Sequence, residues 1–132
     1  MKQRIIAILL LSLLLLAGCT QSKTTHTINV VEEQKYQATG VIKEFDMIAK
    51  QWEYDPSQIT VQAGDTVKLK IKSIDVLHGF TIPALGISAN LEPDSITTIE
   101  FVAERVGEFQ FYCSVYCGAG HRGMQGLIIV EK

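Results

Sequence analysis

Thr66-Val67-Lys68-Leu69-Lys70-Ile71-Lys72 decides the fold. Apolar residues stand at every second position and lysines fill the places between them. Side chains of an extended strand alternate between the two faces of a sheet, so Val67, Leu69 and Ile71 share one face and the lysines share the other. One face is buried, the other is wet.

On either side of this strand the chain is punctuated in the same style. Ala63-Gly64-Asp65 and Val106-Gly107-Glu108 read as turns. Further strands are predicted over residues 47–54, 58–62, 78–82, 96–102, 108–113 and 127–130. No internal repeat, low-complexity tract or long amphipathic helix competes with that pattern. Seven or more short strands in residues 38–132 can bury one core, so the expected fold is all-β: a Greek-key β-sandwich of two antiparallel sheets. Phe45, Trp52, Tyr54, Phe80, Phe101, Phe109, Phe111 and Tyr112 fall in or beside these strands, where most aromatics fill the interior.

Upstream, the 132-residue chain changes character, and its 47% apolar content is inflated by one early run. Lys2 and Arg4 precede the apolar run Ile5 to Leu16, broken only by Ser12, and Leu16-Ala17-Gly18-Cys19 follows. Charge, apolar stretch and small residues in that order predict a signal peptide over residues 1–18. The run is shorter than the roughly 20 residues a spanning helix needs. Leu-Ala-Gly-Cys resembles the lipobox of bacterial lipoproteins, which implies cleavage before Cys19 and acylation of that residue. Anchoring by acyl chains would hold the protein to the extracytoplasmic face of a bacterial membrane. Residues 19–37, polar and rich in Thr and Gln, are expected to form a flexible tether with ends roughly 20–25 Å apart, and His26 within it has no neighbouring ligand. The domain proper is then 38–132. Loss of Lys2 and Arg4 moves the formal charge from −2 to −4, a mildly acidic balance that argues against nucleic acid as a partner.

The chemistry lies near the other end, in Cys113-Ser-Val-Tyr-Cys117-Gly-Ala-Gly-His121-Arg-Gly-Met124. Four soft or borderline ligands occur within twelve residues, between two strands, and Gly118, Gly120 and Gly123 let the loop wrap tightly. Thiolate and thioether sulfur with imidazole favour copper, and no carboxylate in the loop favours a hard ion. Other uses of these residues are a closed zinc site, a Cys113–Cys117 disulfide, or a mononuclear blue-copper site. Zinc leaves Met124 idle, the disulfide leaves His121 and Met124 idle, and the blue-copper site needs one cysteine only. Two thiolates four residues apart can instead bridge a pair of copper ions.

Together with Asp75-Val76-Leu77-His78-Gly79-Phe80 and with Pro83, Pro93 and Gly107, this loop resembles the CuA domain of cytochrome c oxidase subunit II, a cupredoxin, over about Gln51 to Val130. The resemblance implies a dinuclear copper centre. His78 and Met124 would ligate one ion, His121 and the carbonyl of Val115 the other, with Cys113 and Cys117 bridging. Many members of the family carry glutamate where this chain has Val115; the carbonyl ligand survives that change, but a carboxylate contact to a neighbouring metal does not. Trp52 falls where the family has an aromatic segment that receives electrons from cytochrome c, with core packing as the competing role. Subunit II usually has two transmembrane helices before this domain, and the lipid anchor would replace them here.

The implied function is one-electron transfer from a cytochrome c-type donor to a haem-copper oxidase subunit I. No base, nucleophile or open metal position suggests catalysis by this chain alone. A copper carrier for oxidase assembly, or the electron-transfer module of a system like nitrous oxide reductase, would use the same ligands.

Overall fold

The computed structural model describes residues 33–132. The expected signal peptide, Cys19, His26 and most of the expected tether lie outside them. Among the described residues nine strands form two sheets: β1 (Ile42–Lys50), β2 (Glu53–Asp55), β3 (Gln58–Gln62), β4 (Thr66–Ser73), β5 (His78–Ile82), β6 (Ile87–Leu91), β7 (Ile96–Val102), β8 (Gly107–Tyr112) and β9 (Gln125–Glu131). One sheet has the order β2-β1-β4-β7, the other β3-β9-β8-β5-β6. The chain crosses between sheets after β2, β3, β4, β6 and β7, the Greek-key sandwich expected from the sequence.

β4 behaves as its alternation predicts. Val67, Leu69, Ile71 and Ser73 are buried while Thr66 and the three lysines are half-buried. Leu69 and Ile71 have no exposed surface, and burying each such side chain stabilises the fold by about 1.5–3 kcal/mol. Met47 and Ala49 of β1, Ile59 and Val61 of β3, Phe109 and Phe111 of β8, and Ile128 and Val130 of β9 add the same alternating inward rows.

Three details differ from the sequence reading. The sheets are mixed rather than antiparallel: β1 runs parallel to β4 and β3 parallel to β9. Chain crossings between sheets allow such neighbours, and the alternation within one strand cannot reveal them. Residues 47–54 are not one strand, since the chain turns at Gln51 and Trp52 and returns as β2 against β1. β6 is an additional edge strand whose sequence, Ile87-Ser88-Ala89-Asn90-Leu91, carries too few β-branched residues to announce itself.

Before β1 the described chain lies along the domain. The Tyr36 N–H donates to the Glu104 carbonyl at 2.6 Å, Lys35 pairs with Glu104 at 2.7 Å, and Arg105 Nη1 meets both carboxylate oxygens of Glu33 at 2.9 and 3.0 Å. These contacts are at the turn between β7 and β8. The loop between β8 and β9 is at the opposite end of the strands.

Candidate metal centre

Strand parity brings the site to the top of the core. His78, Phe80 and Ile82 are alternate residues of β5, all fully buried, so His78 is the last inward position of that row. In β8, Phe109 and Phe111 point inward and Cys113 is the next residue of the same parity, 4% exposed just past the strand. The Cys113 N–H donates to the Met124 carbonyl at 2.9 Å and closes the base of the loop before β9. Within the loop, His121 N–H bonds the Gly118 carbonyl at 3.1 Å and Gly123 N–H the Gly120 carbonyl at 2.9 Å. Gly118 has φ of 122°, a conformation that favours glycine.

The six groups singled out from the sequence come together. Cys113 Sγ and Cys117 Sγ are 3.7 Å apart and both cysteines are free thiols. His78 Nδ1 is 3.9 Å from Cys113 Sγ, and His121 Nδ1 is 3.7 Å from Cys117 Sγ. Met124 Sδ lies 3.7 Å from Cys117 Sγ, and the Val115 carbonyl oxygen lies 3.0 Å from Cys113 Sγ. Ligand atoms of His78, Cys113 and Cys117 are all within 4.8 Å of one another. Two thiols side by side, each with an imidazole nitrogen turned toward it and a weak donor beside it, form a donor set that suits copper.

Surrounding residues orient these groups. Asp75 Oδ1 is 2.8 Å from His78 Nε2, while the Gln51 and Val76 N–H groups donate to Asp75 Oδ2 and Oδ1 at 2.6 and 2.7 Å. A carboxylate on Nε2 fixes the tautomer with the proton there and leaves the Nδ1 lone pair for a metal. Partial burial would raise the Asp75 carboxyl, but His78 and the two backbone donors outweigh it and hold the group below its ordinary range. Burial, reinforced by Cys113, pushes the Cys117 thiol up to about 11. In the metal-free protein this thiol keeps its proton at neutral pH.

Trp52 sits on the outside of the loop, 42% exposed, with Nε1 donating to the Cys117 carbonyl at 3.2 Å. Gln51 Nε2 reaches the same oxygen at 2.6 Å. A Cβ built on Gly120 would stand 2.5 Å from Trp52 Cδ2, so the missing side chain is what lets the indole lie against the loop. Trp52 is therefore a loop contact and not core. Tyr116, 77% exposed, leans its ring over His121 at 5.7 Å. Of the other aromatics, Tyr54, Phe80, Phe109 and Phe111 are buried, Phe45 and Phe101 half-buried, and Tyr112 is 40% exposed.

The sequence reading gave no separate role to Gln51, Asp75 or Tyr54. Gln51 acts across 66 residues of chain, and nothing in its spacing points to the loop. Asp75 carried a usable signal, three residues before a histidine, at a distance where a carboxylate reaches the ring.

With fold and donor set both in place, the family can be stated: the chain belongs to the cupredoxin-like domain family, whose profile matches residues 5–130. Within that family its relatives include oxidase subunits and nitrous-oxide reductases. It is 37% identical over 79 residues to cytochrome c oxidase subunit 2 of Thermus thermophilus, an alignment covering 60% of this chain and 58% of that one. It is 38% identical over 78 residues to nitrous-oxide reductase of Stutzerimonas stutzeri, covering 56% of this chain and 12% of the reductase. The periplasmic domain of subunit II of cytochrome oxidase from Bradyrhizobium japonicum shares the fold, with a TM-score of 0.62, 22% identity, and coverage of 67% and 83% of the two chains. The chain spans little more than half the length of the Thermus relative it matches. Copper is the metal this kinship implies. Among the described residues no helix is long and apolar enough to cross a membrane.

Proposed function

We propose that this protein is a one-electron relay built on a dinuclear CuA-type copper centre, taking electrons from a cytochrome c-type donor and passing them to a haem-copper oxidase. The observation that carries the reading is the thiol pair: Cys113 and Cys117 Sγ stand 3.7 Å apart, and each has an imidazole Nδ1 within 3.9 Å. Such a pair can bridge two metals, whereas a mononuclear site would use one sulfur. Bound copper would supply a single reversible oxidation step shared between two ions.

The chain's own residues do the rest. Cys113 and Cys117 would bridge, His78 and Met124 would complete one ion, and His121 with the Val115 carbonyl the other. Asp75 holds His78 in the tautomer that can bind, and loop closure at Cys113 and Met124 fixes the sulfurs to two strands. Ligands held in this way move little between oxidation states, which keeps the reorganisation accompanying electron transfer small. Trp52 offers a short route from solvent to a bridging cysteine, through its hydrogen bond to the Cys117 carbonyl.

Cleavage before Cys19 and acylation of that residue would attach the protein to the extracytoplasmic face of a bacterial membrane. A solved relative that is a periplasmic oxidase domain is compatible with this location. The function is tested by mixing the copper-loaded domain with reduced cytochrome c and with oxidase-containing membranes. Fast oxidation of the cytochrome, followed by oxygen consumption, is expected. Transfer of copper to a metal-free acceptor with no electron exchange would make the protein a copper carrier instead.

A further inference from the structure

β5 and β8 pair at a single rung, Thr81 opposite Tyr112. Continuing that register by two residues brings Gly79 opposite Ser114, and the two segments are indeed close: a Cβ on Gly79 would lie 2.9 Å from the backbone nitrogens of Ser114 and Val115. Yet the rung does not form. Two side chains take its place. The Gly79 N–H donates to Cys113 Sγ at 3.4 Å, and the Gly79 carbonyl accepts a hydrogen bond from the Tyr54 hydroxyl.

We propose that Tyr54 is a positioning residue of the metal centre: by holding the Gly79 carbonyl it fixes the residue whose N–H donates to Cys113 Sγ, and so sets the electron density that this sulfur offers to copper. Tyr54 is well placed for that task. It is 2% exposed, and its ring is clamped edge-on against Phe80 at 5.6 Å and Phe111 at 5.2 Å. Gly79 needs such a restraint, because a residue without Cβ has the widest choice of backbone angles and lies immediately after His78. An N–H donated to a thiolate withdraws charge from it, weakens its donation to oxidised copper, and raises the reduction potential. Without the hydroxyl the buried Gly79 carbonyl loses its partner, the glycine relaxes, and the potential falls.

The role toward copper rests on the proposed relay function, so the test has an arm that does not. Tyr54→Phe keeps the ring and deletes the oxygen. In the metal-free domain, amide hydrogen exchange at Gly79 is expected to quicken about fivefold, as for one lost hydrogen bond of about 1 kcal/mol, while β4 amides keep their rates. In the copper-loaded domain the potential is expected to shift downward. Phe80→Leu, which loosens the same aromatic cluster and spares the hydroxyl, should leave the Gly79 rate near that of the parent. Equal effects of the two substitutions would overturn the proposal, as would an unchanged Gly79 rate in Tyr54→Phe. If Tyr54→Phe does not fold, the unaltered protein decides: a slowly exchanging Tyr54 hydroxyl proton near Gly79 is expected, and rapid exchange contradicts it. A parent domain that binds no copper would refute the relay function and leave the exchange comparison standing.

Discussion

Asp75 Oδ1 lies 2.8 Å from Nε2 of the fully buried His78, whose Nδ1 is turned toward Cys113 Sγ. The same carboxylate accepts the Gln51 N–H, so one side chain joins the β1–β2 turn, the β4–β5 loop and the candidate ligands. Asp75→Asn can still accept from one of these donors, but it no longer carries the charge that fixes the imidazole. Copper affinity is expected to fall about 10- to 100-fold, the usual range for losing the partner of a ligating histidine. A competitive chelator titration measures it, and an affinity equal to the parent's would mean His78 needs no such support.

Copper uptake is expected to release protons and to strengthen with pH. The Cys117 thiol is pushed up to about 11 by burial and by Cys113, so near pH 7 binding has to displace its proton. Each proton released makes the apparent affinity rise about tenfold per pH unit below that value. Unbuffered titration with a pH-stat counts the protons directly.

The same shift fixes the alkaline limit of the metal-free domain. A folded-state value above the ordinary 9.0 contributes stability that is intact below pH 9 and is lost as pH rises toward about 11. Burial moves the Tyr54 hydroxyl in the same direction, and its contribution fades over the same side of the scale. Denaturant unfolding of the metal-free domain at about pH 8 and about pH 11 should therefore show a clear drop. Equal midpoints would mean that neither group is buried as the structure has it.

Gly120→Ala puts a methyl group where the Trp52 ring lies, 2.5 Å from Cδ2 and 2.6 Å from Cγ. The indole has to leave the loop, at a cost of about 1–3 kcal/mol. Tryptophan emission should shift to the red, and electron exchange with cytochrome c should slow while the copper absorption persists. Unshifted emission would show that the loop yields instead of the ring.

The division of β4 into two faces is tested by paired substitutions. Leu69→Ala should cost about 2–5 kcal/mol, because Leu69 is fully buried between the sheets. Lys70→Ala breaks a 2.6 Å pair with Glu44 on the exposed face and should lower the unfolding midpoint far less.

These contrasts explain what was legible in the sequence. Period-two alternation reports one buried face per strand, so β4 could be read directly from its sequence, and the local spacing of Cys113, Cys117, His121 and Met124 could be read as a ligand cluster. Alternation says nothing about which strands are neighbours, so the parallel pairs β1–β4 and β3–β9 were hidden. β6 was hidden because an edge strand with a single β-branched residue lacks the composition that marks a strand. His78 stands 35 residues from Cys113 and entered through family resemblance alone. Tyr54 and Gln51 act through contacts that only folding creates, 25 and 66 residues along the chain from their partners.

Whether Cys113 and Cys117 together hold two copper ions is tested most directly by copper stoichiometry with electron paramagnetic resonance of the same loaded sample. Two coppers per chain, a purple colour and hyperfine structure from one electron shared equally between two copper nuclei are the expected result. One copper per chain, with a blue mononuclear signal, would contradict it.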